Sequence, residues 1–373
     1  MTTQPTAAQV AAQNYAARMN LLQTGLHMIK RLPPQTGALG SAIRIPLERM
    51  GIMTGIVLDI TVPLNITAAA TAGAFAPYNI AQQVKYTDYA GVDRIITNGP
   101  GLHMLNCMRG HKFLNNSQKM SGYLALAETG IDTDILAVPT AIAAANMTFS
   151  LYLPIAYDPN SDLRGAVLSQ TIYGDHYVTV QTPQALVGAD SLVNPYTAGT
   201  VAIQAAQSIT VQAYQHYIMP QQGVANLPQV DLMTIYAIEG GTMDSSNIVA
   251  GQSKYVNWPN NRAILSAQHI FNNGGAGVLN GTDLSQITLL GNSNTNIREM
   301  SPKYLREQMR YMMGADFASG VYHLSSRQQP ITTQLYGNVQ TKFDVATANA
   351  GAYFTSQYES FYMAGTPLPG IVQ

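Results

Sequence analysis

Charge is scarce in this sequence. Only 10% of its 373 residues are Asp, Glu, Lys or Arg, against roughly 25% in an ordinary soluble domain. With 19 basic and 20 acidic residues the net charge is −1, so there is no broad basic field for nucleic acid and no acidic tail. Few charges beside many Asn, Gln, Ser and Thr predict a surface that is largely covered, because weakly charged monomers associate. A single cysteine, Cys107, excludes an intrachain disulfide and fits folding in a reducing cytoplasm. Long apolar runs are also missing. The best, 135-ILAVPTAIAAANM-147, is shorter than the ~18 residues of a membrane-crossing helix and contains Pro139. The opening residues are polar and read as no secretory signal.

Acidic residues are absent before Glu48. In this stretch Tyr15, Met19, Leu22, Leu26 and Ile29 recur at helical steps, and Leu32-Pro33-Pro34 ends the pattern. The spacing predicts an amphipathic arm made basic by Arg18, Lys30 and Arg31. Such an arm suits an anionic membrane surface, a neighbouring subunit, or the protein's own core.

Beyond Pro34 the period changes to two. Ile56, Leu58, Ile60, Val62, Leu64 and Ile66 alternate with more polar positions, as do Met147 to Tyr157 and Ile209 to Ala213. Each run reads as a strand with one buried face. Pro63 cannot donate a ladder hydrogen bond, which predicts an edge or a bulge there. Runs 176–182 and 321–326 are similar, and Gly, Pro and Asn clusters separate them. Many short strands with few helices argue an all-β chain. One helix is well marked over 301–314: Ser301 as cap, Pro302 at the first turn, Leu305, Met309, Met312 and Met313 as the buried stripe, and Gly314 as the stop. The phrases 162-DLRGAVLSQ-170 and 316-DFASGVYHLS-325, each followed by Val-Gln-Thr, read as a weak internal duplication. Two similar β domains would then meet near 219–228.

The search for chemistry finds little. Gly275, Gly277 and Gly281 approach a dinucleotide loop, but no βαβ unit surrounds them; they read as turn residues. His103, Cys107 and His111 are four apart, yet a strand-like context would hold them too far apart for zinc. Asp158, Asn160 and Asp162 begin like a calcium loop, but Leu163 and Ser169 stand where Gly and Glu are needed. Glu239, beside two glycines, reads as a loop acid. No nucleophile elbow, phosphate-binding loop or zinc-protease motif is present. The expectation is a protein that is not an enzyme and carries no cofactor or metal.

The motifs together resemble the major capsid protein of tectiviruses, icosahedral bacteriophages with a membrane inside the protein shell. The phrases run in order: 84-VKYTD-88, 102-LHMLN-106, 154-PIAYDPNSDLRGAVL-168, 271-FNNGG-275 with 281-GTD-283, 302-PKYLREQMR-310, 316-DFASGVYHL-324, 331-ITTQLYGNV-339, 353-YFTS-356 and 364-AGT-366. They span nearly the whole chain and thicken in its second half. Loops 68–78 and 186–206 depart from the pattern, so outer-surface features are not carried over.

The resemblance implies a double jelly roll, two eight-stranded sandwiches in one chain, with an N-terminal helical arm and a few short helices. It divides the chain into the arm (1–34), a first roll (35–222), and a second roll with a C-terminal tail (223–373). Three copies would form a nearly hexagonal trimer, since three pairs of similar barrels give six around a threefold axis. Trimers would tile a virion shell beside other capsid and vertex proteins, assembled in the host cytoplasm and without direct nucleic-acid contact. The arm, with Arg18, Lys30 and Arg31, would lie low against the inner membrane or a neighbour. Few ion pairs would make the shell insensitive to salt. The alternative is a carbohydrate- or receptor-binding jelly roll, which would expose aromatic residues on a concave sheet; Trp258 is the only tryptophan.

Overall fold

The computed structural model describes residues 24–109, 138–169, 174–219, 234–274, 282–292, 295–313, 320–333 and 335–363, with a few isolated positions before Thr24. The period-two runs become strands because each has a face to bury. Ile56, Leu58, Ile60, Val62, Leu64 and Ile66 all enter one core.

In chain order the first half contains β1 (Leu26–Arg31), β2 (Gln35–Gly37), β3 (Ala42–Pro46), β4 (Ile52–Ala72), β5 (Gln83–Thr87), β6 (Asp93–Thr97), β7 (Ala144–Pro154), β8 (Val167–Leu168), β9 (Tyr177–Gln181), β10 (Tyr196–Ile203) and β11 (Ile209–Met219). The second half contains β12 (Thr234–Asp244), β13 (Ser253–Asn257), β14 (Ala263–Asn272), β15 (Leu284–Gly291), β16 (Thr295–Met300), β17 (Val321–Ser325), β18 (Ile331–Thr332), β19 (Val339–Val345) and β20 (Tyr353–Met363).

The pairing gives the same plan twice. In the second half β12-β20-β14-β17 form one layer and β13-β19-β15-β16 the other, so the eight strand positions run 1-8-3-6 and 2-7-4-5. In the first half β1 and β2 share position one, β7 and β8 share position six, and the layers are β1-β11-β4-β7 and β3-β9-β5-β6. That order is a jelly roll. The all-β double jelly roll is therefore the fold of this chain. The extra strand β10 pairs with the far end of β4. The two rolls are joined through backbone: β6 pairs in parallel with β12 at Ile95↔Ile238 and Ile96↔Glu239, making one nine-stranded sheet.

Pro63 is neither at an edge nor at a bulge in its pairing with β7, which runs unbroken past it. Its other side faces a seam, where β11 ends at Thr61↔Thr210 and β10 begins at Leu64↔Ile203. The carbonyl of Pro63 accepts there from the Gln204 N–H at 3.0 Å, so the donor that proline lacks faces the gap between two strands.

Two helices, α1 (Gly99–Met108) and α2 (Pro302–Met313), occupy the same place in the two rolls, between strand positions five and six. The 301–314 expectation holds at its start: Ser301 Oγ accepts from the Tyr304 N–H at 3.1 Å, and Leu305 and Met309 are buried. Met312, expected in the buried stripe, is instead exposed, because it lies at the helix end beyond the core. The side chain of Met313 and Gly314 lie outside the described residues.

The helical pattern expected for the arm does not run through to Pro34. Gln9, Ala16, Leu22 and Thr24 are helical, but Leu26–Arg31 is strand β1, in register with β11 from Leu26↔Met219 to Arg31↔Tyr214. Gly25 breaks the helix, and the open side of β11 then supplies a ladder that overrides local helical preference. The duplication also needs realignment. Both Val-Gln-Thr phrases reach the seventh strand, β9 and β19. However, 162–170 leads into β8 and 316–325 into β17, and register makes β8 the counterpart of β18.

Candidate functional site: the junction between the rolls

Helix α1, between β6 and β7 of the first roll, packs against the second roll. Asn98 caps it, accepting from the Gly101 N–H at 2.7 Å, with Pro100 in the first turn. At Gly99 a Cβ would lie 2.1 Å from the Tyr78 carbonyl, so the helix starts in contact with the chain below. Gln357 of β20 donates to the Gly101 carbonyl at 3.2 Å and accepts from Thr97 Oγ1.

At the far end of α1, Arg109 meets Glu359 of β20. Arg109 Nε lies 3.2 Å from Glu359 Oε1, and its Nη1 donates to the Tyr236 hydroxyl at 3.0 Å. Tyr236 donates to Oε1 at 2.9 Å. The other oxygen, Oε2, accepts from Ser266 at 2.7 Å and from Arg327 Nη2 at 2.9 Å. Arg327 also donates to the Met108 carbonyl at 3.0 Å, closing the ring back onto the first roll. The Arg109 guanidinium lies over the rings of Tyr157 and Tyr236.

Burial alone would raise the Glu359 carboxyl. The charges of Arg327 and Arg109 and the Ser266 and Arg327 hydrogen bonds outweigh it and hold it down at about 2. A carboxylate with both oxygens filled and ionised at neutral pH has no proton to give and no open face to receive one. Its role is positional: an enclosed Arg109, a partly buried Arg327 and one buried anion fit together only when the rolls are correctly seated.

The other sequence candidates resolve as follows. His103 and Cys107 do meet, Nε2 to Sγ at 3.5 Å, because the segment is helical rather than strand-like. Burial lowers His103 to about 3 and raises Cys107 to about 12, which makes the thiol a poor nucleophile. His111 lies outside the described residues, and among those described no group of ligands is gathered for a metal. Asp158 caps a turn, accepting from the Asn160 N–H at 2.9 Å and from Ser161 Oγ, while Asp162 pairs with Arg164. Glu239 is no loop acid: it sits on β12 and binds Arg262 at 2.8 Å. Gly275, Gly277 and Gly281 lie outside the described residues; Gly274, at φ +73°, donates to Asn272 Oδ1 in a turn. Arg18 also lies outside them. Lys30 reaches Glu48 loosely at 3.7 Å, and Arg31 donates to Gln212 at 3.0 Å. Beside the junction, at the base of β1, lies a cavity of about 750 Å³ lined by His27, Ile29, Thr54, His216 and both junction arginines.

Residues 6–220 match the family model for the P3 major capsid protein N-terminal domain, and residues 233–368 match that for its C-terminal domain. The chain belongs to the P3 major capsid protein family. It is 29% identical over 371 residues to the major capsid protein P3 of Enterobacteria phage PRD1, covering 95% of this chain and 92% of that one. Among solved structures it is similar in fold to the atomic structure of Sulfolobus Turreted Icosahedral Virus, with TM-score 0.65, 12% identity and 91% of each chain covered. It is likewise similar to the major capsid protein P2 of bacteriophage PM2, with TM-score 0.53, 9% identity and coverage of 91% and 99%. This P3-family chain is a structural major capsid protein, a virion component and not an enzyme. The carbohydrate-binding alternative loses its support: Trp258 is buried, with its indole N–H bonded to Thr341 Oγ1 at 2.7 Å.

Sequence reasoning missed the junction altogether. Arg109, Arg327 and Glu359 are far apart in the chain, and no local pattern ties them together. The one available signal was scarcity, since charges in so uncharged a chain stand out singly.

Proposed function

We propose that this capsid protein works as a trimeric tile. Three copies, each supplying two rolls, form a nearly hexagonal unit that packs with its neighbours, and with other capsid and vertex proteins, into an icosahedral shell assembled in the host cytoplasm. The observation that carries this reading is the repetition of one strand order in two rolls set side by side, since three such pairs approximate sixfold symmetry. The chain divides functionally into an arm (1–34), a first roll (35–222) and a second roll with its tail (223–373). The arm lies toward an internal membrane, with Arg18 facing anionic lipid and Lys30 and Arg31 at its base. Each basic residue near such a surface contributes ~1 kcal/mol, which matters when summed over a lattice of copies.

Light scattering on the purified chain tests the tile: a mass three times 40.1 kDa, with hexagonal outlines in negative stain, is expected, and monomers at micromolar concentration overturn it. Deleting residues 1–23 tests the arm. Trimers should persist while binding to anionic vesicles is lost; undiminished binding refutes the membrane role.

A further inference from the structure

The chain contains one joint that is filled and its counterpart that is empty. The two rolls can be superposed by register. β20 slips against β14 between Ser266 and Ile264, and β11 slips against β4 between Gly55 and Met53. Matching the slips equates Glu359 with His216. Through the neighbouring strands it also equates Tyr236 with His27, Ile238 with Ile29, and Glu239 with Lys30. The helix caps Asn98 and Ser301 match in the same way. They equate Ile95 and Ile96 of β6 with Arg298 and Glu299 of β16, and Met108-Arg109 with Tyr311-Met312.

Burial of these counterparts is opposite. Ile238 is fully buried where β6 pairs with its strand, whereas Ile29 is 59% exposed. Met108 and Arg109 are enclosed by the second roll, whereas Tyr311 is 90% and Met312 42% exposed. Strands β1 and β16 are each terminal in their sheets, with one unpaired backbone edge among the described residues. Such edges invite another strand. The cavity lies where the match requires. His27 and His216 line it, and they are the counterparts of Tyr236 and Glu359, the two residues that receive Arg109 within the chain.

We propose that a second copy of this chain closes the empty joint by repeating the filled one. Strand β16 of one copy runs parallel to β1 of the next, with Glu299 opposite Lys30. The end of its helix α2 follows: Met312, in the place of Arg109, enters the cavity against His27 and His216, and Tyr311, in the place of Met108, packs beside it on the neighbouring copy. The contact is head-to-tail, and because it repeats the step between the two rolls of one chain, a step of one sixth of a turn closes it as a ring; three copies then place six rolls around that axis, each set on its neighbour by the same geometry. Charge supports the pairing, because a lysine and a glutamate face each other where β12 and β6 carry Glu239 and Ile96. Different side chains at equal geometry keep the two joints from being interchanged.

This inference rests on the trimer reading and names the residues that make it. The double variant Lys30→Cys/Glu299→Cys places two thiols on opposed strand positions, within disulfide reach. After oxidation it is expected to run as a covalent trimer without reductant, while neither single variant does. A double variant that is trimeric by light scattering but stays uncross-linked overturns this contact and leaves the trimer standing. A natural chain that is monomeric overturns the trimer itself. Independently, Tyr311→Ser is expected to weaken trimer association by roughly tenfold or more with an unchanged circular dichroism spectrum; unchanged association overturns the helix-end contact.

Discussion

Arg109 Nε and Glu359 Oε1 lie 3.2 Å apart, and both side chains are cut off from water. The arginine comes from the first roll and the glutamate from the second, so the pair reports on how the rolls are seated.

Glu359→Gln should be among the most damaging single changes in the protein. It leaves two arginines facing a neutral amide in a buried site, and removing one partner of such a group costs about 3–5 kcal/mol. Urea unfolding monitored by circular dichroism is the measurement. A loss below ~1 kcal/mol would show that the junction does not depend on the carboxylate.

Acid should destabilise the protein in two overlapping windows. Burial lowers His103 to about 3; burial, with His323 nearby, lowers His269 to about 3; and burial together with Arg327 lowers His323 to about 3. These rings stay neutral in the fold while the unfolded chain takes up protons below about 6.5, so their contribution is full above that pH and drains away as pH falls toward 3. Glu359 adds its share above its unfolded value of about 4.3 and loses it as pH falls through about 2. Melting temperature should therefore decline steadily below pH 6.5. A flat profile between pH 7 and 4 would contradict the burial of the histidines.

Salt should matter little to the isolated fold. Low salt sensitivity is expected for the assembled shell; for the fold itself, charge is scarce and the pairs Arg94–Asp88 and Arg109–Glu359 are buried, where ions screen poorly. Melting temperature should move by no more than a few degrees between 0.1 and 1 M NaCl. A large drop would place the stabilising charges at the surface.

Gly165→Ala should disturb the junction from its other side. Gly165 has φ +88°, and a Cβ there would lie 2.3 Å from Tyr236 Cβ and 2.8 Å from the Ile155 carbonyl. Its N–H also bonds to the Thr234 carbonyl at 3.0 Å. Neither the backbone nor the Tyr236 Cβ fixed to it can yield cheaply, so a loss of about 2 kcal/mol or more is expected in urea unfolding. Wild-type stability would mean that the rolls are not pressed together at this point.

Legibility in the sequence followed range. The alternation from Ile56 to Ile66 is a local pattern with one cause, burial of one sheet face, and it survives intact in β4. The start of α2 was equally local, carried by Ser301 and Pro302. Helix α1 was missed because Gly101 and Gly110 bracket the segment and its context reads as strand-like, although Asn98, Pro100 and the buried Leu102, Leu105 and Asn106 held the helical spacing. The arm was misjudged at Leu26–Arg31 because a helical stripe and an edge strand draw on the same apolar residues, and only the presence of β11 decides between them. The ionic junction had no local trace at all.

The bond between the rolls is made by main-chain groups at Ile95, Ile96, Ile238 and Glu239, and main-chain groups are the same in every residue but proline. This ladder tolerates changes of side chain on either strand, apart from those such as Tyr236 and Thr97 that also bond across the junction. A spacing held this way is inherited through the backbone and outlasts the spelling of the sequence. A similar fold is found at only 12% identity with this chain.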